Sequence, residues 1–207
     1  MNFTLHRLKR RIAAFISRSA DWALFVGIVL IVGLGSSWYM VEAGSKLTTL
    51  TVGPWSTWPA AARIDADPYT RAHYARLGAL PLSGEVALTF IARTDSEGIG
   101  LHSSCDYTLV GRDLPDHWWS LTVFDAKGRL IPNGAERYSF TSETIALSPD
   151  GTFTAVLARD ARPGNWLPVG GAGKIAIVLT VLDLGVQRVA QEGEIEKALP
   201  VIKRQNC

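Results

Sequence analysis

Few positions in this 207-residue sequence have side chains able to do chemistry. Its two cysteines are Cys105 and Cys207. No CxxC or HxxxH spacing accompanies them, so they do not make a metal centre, and the sequence calls for neither a metal nor another cofactor. His73, His102 and His117 are scattered, and no GxSxG or Ser-His-Asp context frames a nucleophile. Asp95 and Glu97 stand in a Gly-containing loop and read as a solvated turn rather than a catalytic pair. Gly98 and Gly100 are not followed by the Lys-Ser or Lys-Thr of a phosphate loop. Two carboxylate clusters would need the fold to complete them: Asp106 with Tyr107 beside Cys105, and Asp113 with Asp116 beside His117.

Aromatic chemistry is richer. Of seven tryptophans, Trp55, Trp58, Trp118, Trp119 and Trp166 fall in the part of the chain that reads as a folded domain. Aromatic faces stack on sugar rings or line clefts, while a few polar groups fix orientation. On a strand, Trp118 and Trp119 point to opposite faces, so at most one belongs to a single-sided core. The segment Arg162–Pro168 is the candidate cover for the other. The ligand-binding candidates are therefore Trp119, Trp166, Arg162, Asn165, His117 and Asp106. The competing reading of the same aromatics is that they pack a core and its lids.

These residues need a scaffold, and the clearest element is not part of that domain. Trp22–Val41 reads WALFVGIVLIVGLGSSWYMV, without a charge. About twenty helical residues span roughly 30 Å, the thickness of a bilayer's hydrocarbon core. Trp22 at one end and Trp38 and Tyr39 at the other match an aromatic belt. Arg7, Lys9, Arg10, Arg11 and Arg18 precede the span, which places the N-terminus in the cytoplasm and the rest of the chain outside. A signal peptide cleaved after Val41-Glu42-Ala43 is the rival reading; the long basic leader and long apolar stretch favour an anchor in a bacterial inner membrane. Leu5, Leu8, Ile12, Phe15 and Ile16 recur at helical spacing among the cations. They fit either a stripe lying on the anionic leaflet or a solvated flank that sets topology. The expected organisation is a basic cytoplasmic segment (1–21), a transmembrane helix (22–41), an extended arm (42–66) and a folded domain (67–207).

Asp67-Pro68 is a helix start, with an N-capping carboxylate ahead of proline, and Gly78 is a stop. From Gly84 the pattern turns to period two. Glu85–Arg93, Cys105–Val110, Trp118–Phe124, Arg129–Ile131, Tyr138–Phe140, Thr144–Leu147, Phe153–Leu157 and Lys174–Leu182 read as strands. Asp125–Gly128 and Asp150-Gly151 read as turns. Short strands between Gly, Pro and Asn turns, without the helices of βαβ units, predict a mainly β fold: a jelly-roll-like β-sandwich with one short helix. If this domain lies outside the cytoplasm, Cys105 and Cys207 have a compartment that permits a disulfide; otherwise they are two free thiols. A net charge of +2, concentrated at the N-terminus, argues against nucleic acid and for a membrane.

GPWSTWP (Gly53–Pro59), DPYTRAHYARLGALPL (Asp67–Leu82), Cys105-Asp106-Tyr107, WWSLTVFDAKGRLIPN (Trp118–Asn133), RYSFTS (Arg137–Ser142) and RPGNWLP (Arg162–Pro168) occur in that order. Their run resembles the domain of unknown function 1214 family, a bacterial group. The resemblance implies a jelly-roll-like β-sandwich, no settled activity and no catalytic residues to carry over. Many relatives carry a second uncharacterised domain, number 1254, ahead of this one. Here a membrane anchor stands in that place, so any function needing both would require a separate protein.

The expectation is thus an envelope protein presenting a periplasmic interaction or ligand-binding module, with the bilayer and an envelope protein or glycan as partners. The alternative is a carbohydrate-active or hydrolase-like envelope enzyme with a loop-built site around Trp119, Trp166, His117 and Asp106.

Overall fold

The computed structural model of the chain describes residues 2–44, 47–84, 86–114, 118–182 and 199–207, with side chains from residue 18 onward. It divides into two compact units, residues 1–45 and 46–207. The first is one helix, α1 (Asn2–Ala43). Its stretch Arg18–Ala43 is long and apolar enough to cross a membrane, and none of it is buried against protein. The basic stripe expected before Arg18 lies outside the described side chains.

The second unit is mainly β. Ten strands are described: β1 (Leu50–Val52), β2 (Trp55–Thr57), β3 (Ala87–Ala92), β4 (Asp106–Arg112), β5 (Trp118–Asp125), β6 (Ser139–Thr141), β7 (Thr152–Ala158), β8 (Asn165–Pro168), β9 (Ile175–Leu182) and β10 (Val201–Asn206), with one helix, α2 (Pro68–Leu77). They make a six-stranded sheet, β1-β2-β3-β9-β5-β6, and a four-stranded sheet, β10-β4-β7-β8. The pairs are antiparallel except β7–β8. This is the sandwich-like arrangement expected, because alternation gives each sheet an apolar face that only the other can cover. From the larger sheet, Trp55, Phe90, Trp119, Leu121, Ile177 and Leu179 enter the core; from the smaller, Tyr107, Leu109, Phe153, Leu157, Leu167 and Ile202.

One close approach fixes part of this core. Trp119 stacks on Phe153 with ring centroids 5.1 Å apart. Phe153 pairs across β4–β7 with Gly111. A Cβ at Gly111 would lie 2.4 Å from the Phe153 ring, so only glycine leaves the ring its place.

Three expectations about elements need correction. The arm expected at residues 42–66 is extended, but Leu50–Val52 and Trp55–Thr57 are a hairpin paired to the edge of the larger sheet, and Trp55 is buried. Thr144–Leu147 is not a strand. The chain turns at Thr141–Thr144, and both backbone groups of Ala146 bond instead to the side chain of Asn165. Arg162–Pro168 is not a lid over Trp118: its second half is β8, inside the smaller sheet, and Trp118 remains partly exposed on the larger one.

Helix α2 forms as read. Asp67 accepts hydrogen bonds from the Tyr69 and Thr70 amides and the Thr70 hydroxyl, and Gly78 ends the helix at φ 62°. Partial burial pushes the Asp67 carboxyl upward, but the bonds from Thr70 and Tyr69 outweigh it and hold the group below its ordinary value. Asp67→Ala should therefore cost about 1 kcal/mol. Because the folded carboxyl is the stronger acid, this contribution is present above the ordinary aspartate range and fades as pH falls through the folded value. Urea melts of the two proteins at neutral pH and at about pH 3 should show a difference that shrinks in acid; an equal difference at both would refute the cap.

Candidate functional site

Among the described residues, those nominated from sequence do not converge on one site. Trp119 is a core residue whose Nε1 donates to Asp113 at 3.0 Å. Asn165 is buried and structural, joining Ala146 to Thr154 through its side-chain amide. Asp106 and Arg162 do meet, as an ion pair at 2.7 Å on the rim of the smaller sheet. Trp166 is half-buried, donates to the Ala158 carbonyl and lies 6.0 Å from the Arg137 guanidinium. His117 lies outside the described residues. Among the described residues, no cluster of three or more His, Cys, Asp or Glu side chains could hold a metal.

Cys105 and Cys207 are bonded as a disulfide, closing a separation of 102 residues. Around it the C-terminal strand organises a loop. Asp95, almost wholly buried, accepts from the Glu97 and Ile99 amides and pairs with Arg204 at 3.1 Å. Arg204 also donates to the Gly100 carbonyl at 2.9 Å and lies over the Tyr107 ring. Ser96 exchanges bonds with the backbone of Ile202. Loop 94–105 is thus a fixed wall rather than a free excursion.

That wall borders an open groove of about 840 Å³ on the outer face of the larger sheet. Its floor is the outward row of β3, β9 and β5: Ile91 beside Val178, and Ala176 beside Phe124. One side is Gly100–His102 and the other the Asp125–Gly128 turn, with Leu77 of α2 contributing. Arg93, Lys127 and Lys174 line it, and their side chains form no ion pair among the described residues. The groove's carboxylate, Asp125, is already committed. It accepts from the Lys127 and Arg129 amides and pairs with the Arg129 guanidinium at 2.8 Å. The Arg129 amide and guanidinium, with the Lys127 amide, hold its carboxyl below the ordinary range. His102 Nδ1 accepts the Ser104 amide and is turned to that neighbour. The arrangement is an apolar floor beside cations that form no ion pair among the described residues, which suits holding a ligand by shape and charge.

These residues were missed because their signal is weak in sequence. Ile91, Val178 and Phe124 are apolar residues at positions that alternation assigns to solvent, and that is the one clue they give.

Fold and groove define a β-sandwich protein with an apolar N-terminal helix. Residues 86–183, from β3 through the end of β9, match the family described as Protein of unknown function (DUF1214), and over that stretch the chain is similar to this family. No curated protein matches it. Among solved structures, the VPA0106 protein from Vibrio parahaemolyticus superposes with a TM-score of 0.53 at 23% identity, over 69% of this chain and 36% of that one. At that identity the likeness is one of fold. A putative uncharacterized protein from Burkholderia cenocepacia aligns at 17% identity and a TM-score of 0.37, over 58% of this chain and 29% of that one. The chain thus spans about a third of the length of these two solved relatives.

Proposed function

We propose that this protein is a single-pass bacterial inner-membrane protein, N-terminus cytoplasmic, whose β-sandwich is a binding module on the periplasmic side. The span Arg18–Ala43 and the cations ahead of it support the anchor and its direction. The Cys105–Cys207 disulfide suits an oxidising compartment. The observation that carries the binding role is the groove, where Arg93, Lys127 and Lys174 surround an apolar floor. Its ligand joins an anionic group to an apolar body, as an acidic envelope glycan or a modified sugar acid does. A separate envelope protein carrying the companion domain of this family remains a candidate consumer of that ligand.

The groove is tested with the full chain in nanodiscs, titrated with anilinonaphthalene sulfonate, an aromatic body bearing one anion, against empty nanodiscs. Reversing two exposed charges, Lys127→Glu with Lys174→Glu, should weaken binding about tenfold, at up to roughly 1 kcal/mol per charge contact. Wild-type binding should also decline as salt rises. Equal affinity in the two proteins, both folded by circular dichroism, would remove the groove as the site.

A further inference from the structure

The floor of the groove continues beyond the groove itself. Strand β9 lies between β3 and β5, and side chains two apart on it share a face. After Ala176 and Val178, its outer face therefore carries Thr180 and Leu182. The ladders widen each position into a row. Val178 has Ile91 on one side and Thr122 on the other, Thr180 has Thr89 and Ser120, and Leu182 has Trp118. These side chains are half-buried, except that of Trp118, which is 38% exposed. From Phe124 to Trp118 the strip runs six residues along β5, about 20 Å. It begins as apolar floor, crosses a row of three hydroxyls and ends at an indole. The Thr89 and Thr180 hydroxyls stand 3.5 Å apart, at the limit of a hydrogen bond, which leaves most of their bonding capacity to a ligand.

We propose that this strip is a glycan track, binding an oligosaccharide from an acidic sugar at the groove cations to a sugar ring stacked on Trp118. The inference rests on the binding role of the groove and adds the length and composition of its ligand. A sugar presents hydroxyl edges and an apolar CH face. The row Thr89, Thr180 and Ser120 answers the first, and the Trp118 indole answers the second. Arg93, Lys127 and Lys174 stand at the groove end, so charge complementarity sets the direction in which the chain lies. A small aromatic acid would use the cations and the apolar floor but not the hydroxyl row. An extended peptide gains its main-chain bonds at a sheet edge, and a sheet face offers it none.

The full chain in nanodiscs would be titrated calorimetrically with oligogalacturonates, from disaccharide to hexasaccharide, and with anilinonaphthalene sulfonate as the probe of the groove alone. Affinity for the sugars should climb with chain length and level off once the chain reaches Trp118. Trp118→Ala, at a partly exposed ring, and Thr180→Val, which keeps the shape and removes the hydroxyl, should each weaken hexasaccharide binding about three- to tenfold. Both variants should bind the sulfonate as the wild type does. The track is overturned, and the groove left standing, if the sulfonate binds but no sugar does. Equal affinity at every sugar length, or hexasaccharide binding indifferent to both substitutions, overturns it in the same way. Failure of the sulfonate and the sugars together removes groove and track alike.

Discussion

Replacing Cys207 with serine should lower the melting temperature of the β-domain by roughly 8–20 °C. The disulfide to Cys105 closes a separation of 102 residues. In the chain-entropy account, a loop near that length restricts the unfolded chain by about 4–5 kcal/mol. A domain of this size loses about 2–4 °C for each kcal/mol. Most of the effect lies in the unfolded state, because β10 keeps its ladder with β4 and its Arg204–Asp95 pair when the sulfur bridge is gone. The native fold and the groove wall should therefore survive in the variant at room temperature. Thermal melts followed by near-ultraviolet circular dichroism supply the check. Reductant should bring the wild type down to the variant and leave the variant unmoved. If the two proteins melt together under oxidising conditions, the bridge contributes nothing.

Trp119→Ala is expected to destabilise the same domain by about 3–5 kcal/mol. Its ring is buried, is stacked on Phe153 and is hydrogen-bonded to Asp113. Truncation would open a cavity at the centre of the sandwich and leave Asp113 without that donor. Trp166→Ala removes a half-buried ring at the edge of the smaller sheet and should cost about 1–2 kcal/mol. Urea unfolding of both variants separates the two roles. Comparable losses would show that Trp119 is not the centre of the core that its burial indicates.

The contrast between these tryptophans marks how far the sequence could be read. Alternation identified β3, β4, β5, β7 and β9, which are long enough to show a period of two with one apolar face. The caps of α2 were legible because Asp67, Pro68 and Gly78 act locally. Strands β1 and β2 are three residues long, too short for a period, and β10 carries Lys203 and Arg204 among few apolar residues. Their strand character comes from partners far along the chain. Pro163, Gly164 and Asn165 at the start of β8 signal a loop, yet a parallel edge strand ending in Pro168 tolerates a residue without an amide proton. Thr144–Leu147 has the composition of a strand, but Asn165 supplies the bonds a neighbouring strand would have given. The groove was least legible. Its floor is assembled from three strands separated by up to some ninety residues, and its cations come from loops with no common motif. The Cys105–Cys207 pair was legible as a possibility because there were only two cysteines to join.

The sheet margins carry a consequence for life in a crowded plane. Chains held by one helix in a bilayer meet one another far more often than free proteins do, and an open β edge is a template for stacking neighbours. Both margins of the larger sheet, β1 and β6, are three residues long. Those of the smaller sheet end in Pro168 on one side and bear Lys203 and Arg204 on the other. Among the described strands, short length at β1 and β6, Pro168 at β8 and the charges of β10 each disfavour strand addition by a second copy. If α1 holds the protein in a membrane, as proposed, these margins would let copies crowd in the plane without joining through their described sheet edges.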